Sequence, residues 1–200
     1  MTEVTAPSRT TTLPAFVAER IAGESLLRNA IVIFSGSLLL ALSAQVAIPI
    51  PFSPVPLTLQ PLAVLLLGAA LGPVRGCAAV VLYLLEGMSG LPVFAQGRGG
   101  IAVLAGPTAG YLLAFPFAAW IAGWVARSGW TRRPITTIPG MAMALAVIHL
   151  GGWSWLAMTI GAEAAFVTGV APFLVNDVVK VLVAALLLPA AEALVARFGA

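Results

Sequence analysis

Residues 29–74 read NAIVIFSGSLLLALSAQVAIPIPFSPVPLTLQPLAVLLLGAALGPV, a run of 46 positions without a formal charge. A helix needs about 20 predominantly apolar residues to cross a bilayer, so the run holds two spans and a short connection. Pro49, Pro51, Pro54 and Pro56 mark the connection, since proline has no N–H to donate and forces its neighbours into extended backbone. Outward from this stretch the pattern recurs in two more uncharged runs, Gly99–Ala126 and Pro134–Ala162. The chain is 60% hydrophobic and only 8% charged, where soluble domains carry about 25%. These features define an all-α polytopic membrane protein.

Six spans are predicted, at about 29–48, 57–73, 76–90, 108–126, 135–152 and 171–196. A tight turn at Gly72–Arg75, a Gly-rich loop at Leu91–Pro107, a basic turn at Arg127–Pro134 and a loop at Trp153–Val170 connect them. The last loop is expected to hold a short interfacial helix around Ala157–Val167, anchored by Trp153 and Trp155. The charges orient the bundle. With both termini cytoplasmic, the inner segments carry Arg9, Arg20, Arg28, Arg75, Arg127, Arg132, Arg133 and Arg197, and the outer loops only Arg98. That asymmetry follows the rule that basic residues stay inside. The membrane domain is assigned to residues 29–200 and a cytoplasmic tail to residues 1–28. The polar start, MTEVTAPSRTTTLP, is not a signal peptide. Residues 1–14 are expected to be disordered and Phe16–Arg28 to form an amphipathic surface helix.

The last span, within VAPFLVNDVVKVLVAALLLPA (Val170–Ala190), carries two charges that a bilayer disfavours. An ionisable residue at the centre of a span costs about 2.5 to 3.5 kcal/mol on insertion scales and marks a functional site by default. Asp177 and Lys180 are three apart and share a helix face, and Asn176, four before Lys180, is placed with them. Counting from Ala171 at 1.5 Å per residue, Asp177 lies about 9 Å and Lys180 about 13 Å below the outer surface. An acceptor carboxylate, a three-donor ammonium and an amide suit a small ligand with hydrogen-bonding edges. A self-neutralising pair that only stabilises the bundle is the competing reading.

Two outer loops converge on the same side, the second of them bringing Gln96 and Arg98. The Pro-rich loop either caps a cavity into which Thr58 and Gln60 project, or forms a rigid turn with Gln60 facing a neighbouring helix. The Gly-rich loop holds five glycines from Gly97 to Gly110 and reads as a mobile lid or as a flexible link. It is not a phosphate loop, because no Gly-Lys-Ser/Thr follows a strand. Glu86 either touches the pocket or reaches the membrane interface, His149 is placed at the interface, Glu163 in solvent, and Cys77 as a small buried hydrophobe. No cluster of His, Cys and carboxylates has metal-ligand spacing, and no cofactor is implied. An intramembrane enzyme using Asp177, Lys180 and His149 lacks a nucleophile–base–orienter set.

Three stretches carry a resemblance to a known family. IPIPFSPVPLTLQPLAVLLLGAALGPVRG (Ile48–Gly76), YLLEGMSGLPVFAQGRGGIAVLAGPTAGYLLAFP (Tyr83–Pro116) and PFLVNDVVK (Pro172–Lys180) resemble the BioY family of biotin-specific subunits of energy-coupling-factor (ECF) transporters. The likeness spans nearly all of the chain after residue 28. It implies an ECF S-component-like bundle, biotin as ligand, and partnership with a transmembrane scaffold and two cytoplasmic ATPases. Asp177 then accepts from the ureido N–H groups, Asn176 or Lys180 donates to the ureido carbonyl, and Tyr83, Phe94 and Tyr111 line the thiophane ring. Gln60 and Gln96 are further ligand contacts on this reading, and Arg98 or the loop backbone meets the carboxylate. Ser37, Ala41 and Ala44 follow a small-residue spacing that suits either docking to the scaffold or packing within the chain. A sister subunit for thiamin or riboflavin is the alternative within the transport class.

Overall fold

A backbone in lipid has no water to bond, so each N–H and C=O must be satisfied inside the chain. The protein meets that demand with helices. The computed structural model describes residues 12–15 and 26–198. Its helices are α1 (Leu26–Gln45), α2 (Gln60–Met88), α3 (Ala109–Arg127), α4 (Pro134–Ile160), α5 (Ala162–Gly169) and α6 (Leu174–Phe198), with short 3-10 turns at Ala95–Gly97, Ile101–Ala105, Trp130–Arg132 and Ala171–Phe173. Among the described residues, five helical stretches are long and apolar enough to cross a membrane.

One of the five, α2, makes two of the six expected passes. Gly72 breaks it at φ 79°, ψ 172°, and Pro73 follows. Only glycine adopts that backbone cheaply. The chain folds back there so closely that a Cβ on Gly76 would lie 2.8 Å from the Cα of Gly68; on a continuous helix, residues eight apart are separated by about 12 Å along the axis. The predicted spans 57–73 and 76–90 are these two limbs. The first limb, from Gln60 to Gly72, rises only about 18 Å, less than the bilayer core of about 30 Å. The Pro-rich segment before it therefore lies at membrane depth, and its backbone is satisfied locally: β1 (Ala47–Ile48) pairs antiparallel with β2 (Leu57–Thr58). Against the hairpin packs α3. A Cβ on Gly68 would lie 2.3 Å from the Ala119 carbonyl, and one on Gly123 2.3 Å from the Pro73 nitrogen, so the missing side chains set the approach.

Several expectations are corrected. The fifth span does not stop at residue 152: α4 runs 27 residues to Ile160. Its Gly151 and Gly152 pack against Ala114 and the Tyr111 ring instead of opening a loop, and Trp153 and Trp155 are helical. The break comes at Gly161 (φ 85°), which splits the expected 157–167 helix. At the start of the chain, Leu13–Ala15 are helical and Leu13 N–H donates to Glu192 Oε2 at 2.8 Å, so Thr12–Pro14 are ordered where disorder is expected. The expected 16–28 surface helix lies mostly outside the described residues, and its end, Leu26–Arg28, belongs to α1. Finally, Ser37, Ala41 and Ala44 face inward at 0%, 9% and 0% exposure. Ser37 Oγ bonds Glu86 Oε1 at 3.0 Å, so this stripe packs within the chain, and Glu86 faces α1 rather than the interface.

Candidate ligand site

The inward face of α6 opens with Asp177 and Lys180, three residues apart on one side of the helix, just after Phe173 at the end of the 3-10 turn before it. Asp177 and Lys180 are 5% and 4% exposed. Lys180 Nζ donates to Asp177 Oδ1 at 2.9 Å, and His149 of α4 binds the other oxygen, Nε2 to Oδ2, at 2.5 Å. An ionised carboxylate only accepts, so this imidazole carries its proton on Nε2.

These groups form one wall of a cleft with about 610 Å³ of empty space, part of it open to solvent. Val55, Pro56, Thr58 and Gln60 enter from the Pro-rich segment and the start of α2, Phe94, Arg98 and Val103 from the Gly-rich loop, and Tyr111 and Phe115 from α3. Most of the lining is apolar, with a few convergent polar groups, the usual make-up of a small-molecule site. The Gln60 amide is oriented before any ligand arrives: Nε2 donates to Tyr83 Oη at 2.7 Å and Oε1 accepts from Thr58 Oγ1 at 3.4 Å. Tyr83 is fully buried behind it and meets Phe94 edge-on, 5.5 Å between centroids. Tyr111 presents its ring to the cleft while its hydroxyl donates to the Gly169 carbonyl at 2.6 Å.

Bonds hold the Gly-rich loop over this space. Gln45 of α1 accepts from Gly97 N–H through Oε1 at 3.1 Å, and its Nε2 lies 3.4 Å from the Phe94 carbonyl. Gly100 N–H donates to Gly87 O at 2.7 Å, and Trp155 Nε1 to Gly106 O at 3.0 Å. Within the loop Phe94 N–H donates to Arg98 O at 2.9 Å. The segment is thus a cap tied at several points rather than an untethered lid.

The structure brings together Asp177, Lys180, Gln60, Arg98, Tyr111 and Phe94 of the expected site. Three others stand off the wall. Asn176 is one residue, about 100° of helix, away from Asp177; it falls beside that face, its Oδ1 buried without a bonding partner. Gln96 sits at φ 63° on the tip of the loop turn, exposed and turned away. Tyr83 acts through Gln60. His149 is the residue that sequence reasoning set aside: expected at the interface, it lines the cleft. Its signal was faint, a lone histidine deep in an uncharged run.

Helical passes around an apolar cleft with an ionic wall define a polytopic membrane protein with a candidate small-molecule site. The chain belongs to the BioY family, whose model matches residues 11–197. Among its relatives, the probable biotin transporter BioY of Pyrococcus horikoshii is 46% identical over 142 residues, 71% of this chain and 82% of that protein. The biotin transporter BioY of Rhizobium etli is 37% identical over 160 residues, 76% and 85% of the two chains. In fold, the chain is similar to a crystal structure of the S-component for biotin from an ECF-type ABC transporter, with a TM-score of 0.73 and 23% identity over 82% of this chain and 89% of that one. The family is one of transporters and not of enzymes.

Proposed function

We propose that this chain is the biotin-binding membrane subunit of an ECF-type uptake system. The observation that carries the reading is the Asp177–Lys180 pair, buried yet bordering a largely apolar cleft. Biotin has two ureido N–H donors, one ureido carbonyl, an apolar bicycle and a carboxylate tail. Asp177 accepts from the ureido N–H groups and Lys180 donates to the carbonyl, both charge-assisted. Phe94, Tyr111, Phe115 and Phe173 enclose the rings. Arg98, on the loop, meets the tail.

The distribution of arginines supports cytoplasmic termini and a site facing the outer side of the cell membrane. A chain without a nucleotide-binding motif draws its energy from elsewhere, and the family relationship points to a transmembrane scaffold and ATPase subunits as the partners. Titration of the purified protein in lipid nanodiscs with biotin, followed by calorimetry, tests the ligand: tight 1:1 binding is expected. A folded, monodisperse protein that takes up no biotin, but binds thiamin or riboflavin, would overturn the assignment.

A further inference from the structure

We propose that His149 is a positioning residue of the ligand site, holding the Asp177 carboxylate in one orientation and closing the cleft against the bilayer. The inference rests on the biotin-binding reading above, and three observations carry it. First, the terminal torsion of an aspartate is soft and broad, so one bond from Lys180, on the same helix, does not fix which way the second oxygen points. His149 comes from a different helix, α4, and binds that second oxygen. The two bonds together set the carboxylate plane.

Second, the imidazole is itself held. Its ring lies 6.4 Å from Tyr111 at 88° and 6.4 Å from Phe173 at 43°, between two aromatic walls of the cleft. With Nε2 committed to Asp177, the buried Nδ1 has no bonding partner among the described residues. A ring kept there with one nitrogen unmatched has its orientation decided by the Asp177 bond.

Third, His149 and Asp177 line two spaces at once. On one side is the ligand cleft; on the other is a groove between α4 and α6 walled by Ile138, Leu145, Val178 and Leu182. A second outward groove, with Leu150, Trp153 and Phe166, also ends on His149. The imidazole and the carboxylate it holds are the partition between ligand and lipid.

Three substitutions separate donor from wall. His149→Phe keeps a ring without a donor, His149→Gln places an amide N–H near the position of Nε2, and His149→Ala removes both. A hydrogen bond to a charged group contributes roughly tenfold or more in affinity. Biotin calorimetry in nanodiscs is expected to show about tenfold weaker binding for His149→Phe, a larger loss for His149→Ala, and recovery to within about threefold of the parent for His149→Gln. In an Asp177→Asn background, His149→Phe is expected to have little further effect, because coupled residues are not additive. Parent-like affinity in His149→Phe would overturn the proposal. So would equal losses in the Phe and Gln variants, since a packing role predicts no rescue by a donor. A ligand-free readout keeps this test apart from the biotin assignment. The ¹⁵N resonances of the His149 ring are expected to move in Asp177→Asn even if the parent binds no biotin, and unmoved resonances would remove the link on which the proposal stands.

Discussion

Two carboxylates are buried on one helix, and they are used differently. Asp177 and Glu192 of α6 are each 5% exposed and stand 15 residues apart, about 22 Å along the axis. Near the start of the helix, Asp177 meets Lys180 and His149 and borders a cleft. At the other end, Glu192 accepts from the Thr131 hydroxyl at 2.8 Å and from Leu13 N–H at 2.8 Å. Those bonds tie the start of the chain and the α3–α4 turn to the last helix. Equal burial thus carries two meanings. A carboxylate matched by a hydroxyl and a backbone N–H, with packing around it, is a fastening. One matched by ionisable side chains at the edge of a cavity is a site.

The largest expected effect breaks the Asp177–Lys180 pair. Asp177→Ala leaves Lys180 buried without its partner, which costs about 3–5 kcal/mol of stability, and biotin affinity is expected to fall at least about 100-fold, two charge-assisted contacts having gone. The double change Asp177→Leu with Lys180→Met removes both charges, and such replacements are often neutral or stabilising. Thermal melts of the double variant are expected to return toward the parent while calorimetry shows no biotin uptake. Biotin binding by that variant would reduce the Asp177–Lys180 pair to a fastening like that at Glu192.

A second contrast uses glycines at the two ends. A Cβ on Gly87 would lie 2.1 Å from the Phe94 ring, and one on Gly68 2.3 Å from the Ala119 carbonyl. Overpacking of this kind costs about 1–3 kcal/mol, so Gly87→Ala and Gly68→Ala should both lower the melting temperature. Only Gly87→Ala displaces a ring of the cleft, and only it is expected to weaken biotin binding, by about tenfold if one aromatic contact of roughly 1.5 kcal/mol is lost. Equal binding losses would mean that the Gly72 hairpin and the cleft behave as one unit.

Smaller still is the effect of freeing the cap. Gln45→Ala removes the side-chain bond from Gly97 N–H. At about 1 kcal/mol for such a bond, the dissociation rate of biotin is expected to rise about fivefold with little change in the melting temperature. An unchanged rate in a stopped-flow chase would show that the loop's other ties, to Gly87 and Trp155, suffice.

The reach of the sequence follows the range of each interaction. Membrane class and the passes were legible because they depend on runs of uncharged residues, and Asp177–Lys180 because a pair three apart is local to one helix. The hairpin at Gly72 was legible for the same reason: glycine and proline stand together. His149 meets its partner 28 residues later, Gln60 meets Tyr83 at a separation of 23, and Gln45 reaches Gly97 across 52. No periodicity records such meetings. Asn176, placed by its spacing of four from Lys180, does not line the cleft, because that spacing leaves it about 100° of helix from Asp177. Gln96 was misplaced because nothing in the residue type announces a left-handed turn. Glu192 drew no comment, since five residues before Arg197 it resembles an ordinary charge at a helix end, and its partners are at positions 13 and 131.

Glu192 therefore supplies the sharpest small effect. In Glu192→Gln the side-chain oxygen still accepts from one donor, but the amide nitrogen cannot accept from the other. Either the Thr131 hydroxyl or the Leu13 N–H loses its partner, and the new N–H₂ group needs acceptors in a place built for donors. A buried polar group left unmatched costs about 1–3 kcal/mol, so the melting temperature should drop and protease cleavage near residue 13 should quicken as the segment detaches. Biotin affinity is expected to stay within about twofold of the parent, because additivity holds for sites more than about 10 Å apart with no shared partners. A loss of tenfold or more would show that the fastening at one end of α6 sets the carboxylate at the other, and that the helix transmits what the two buried acids were taken to keep apart.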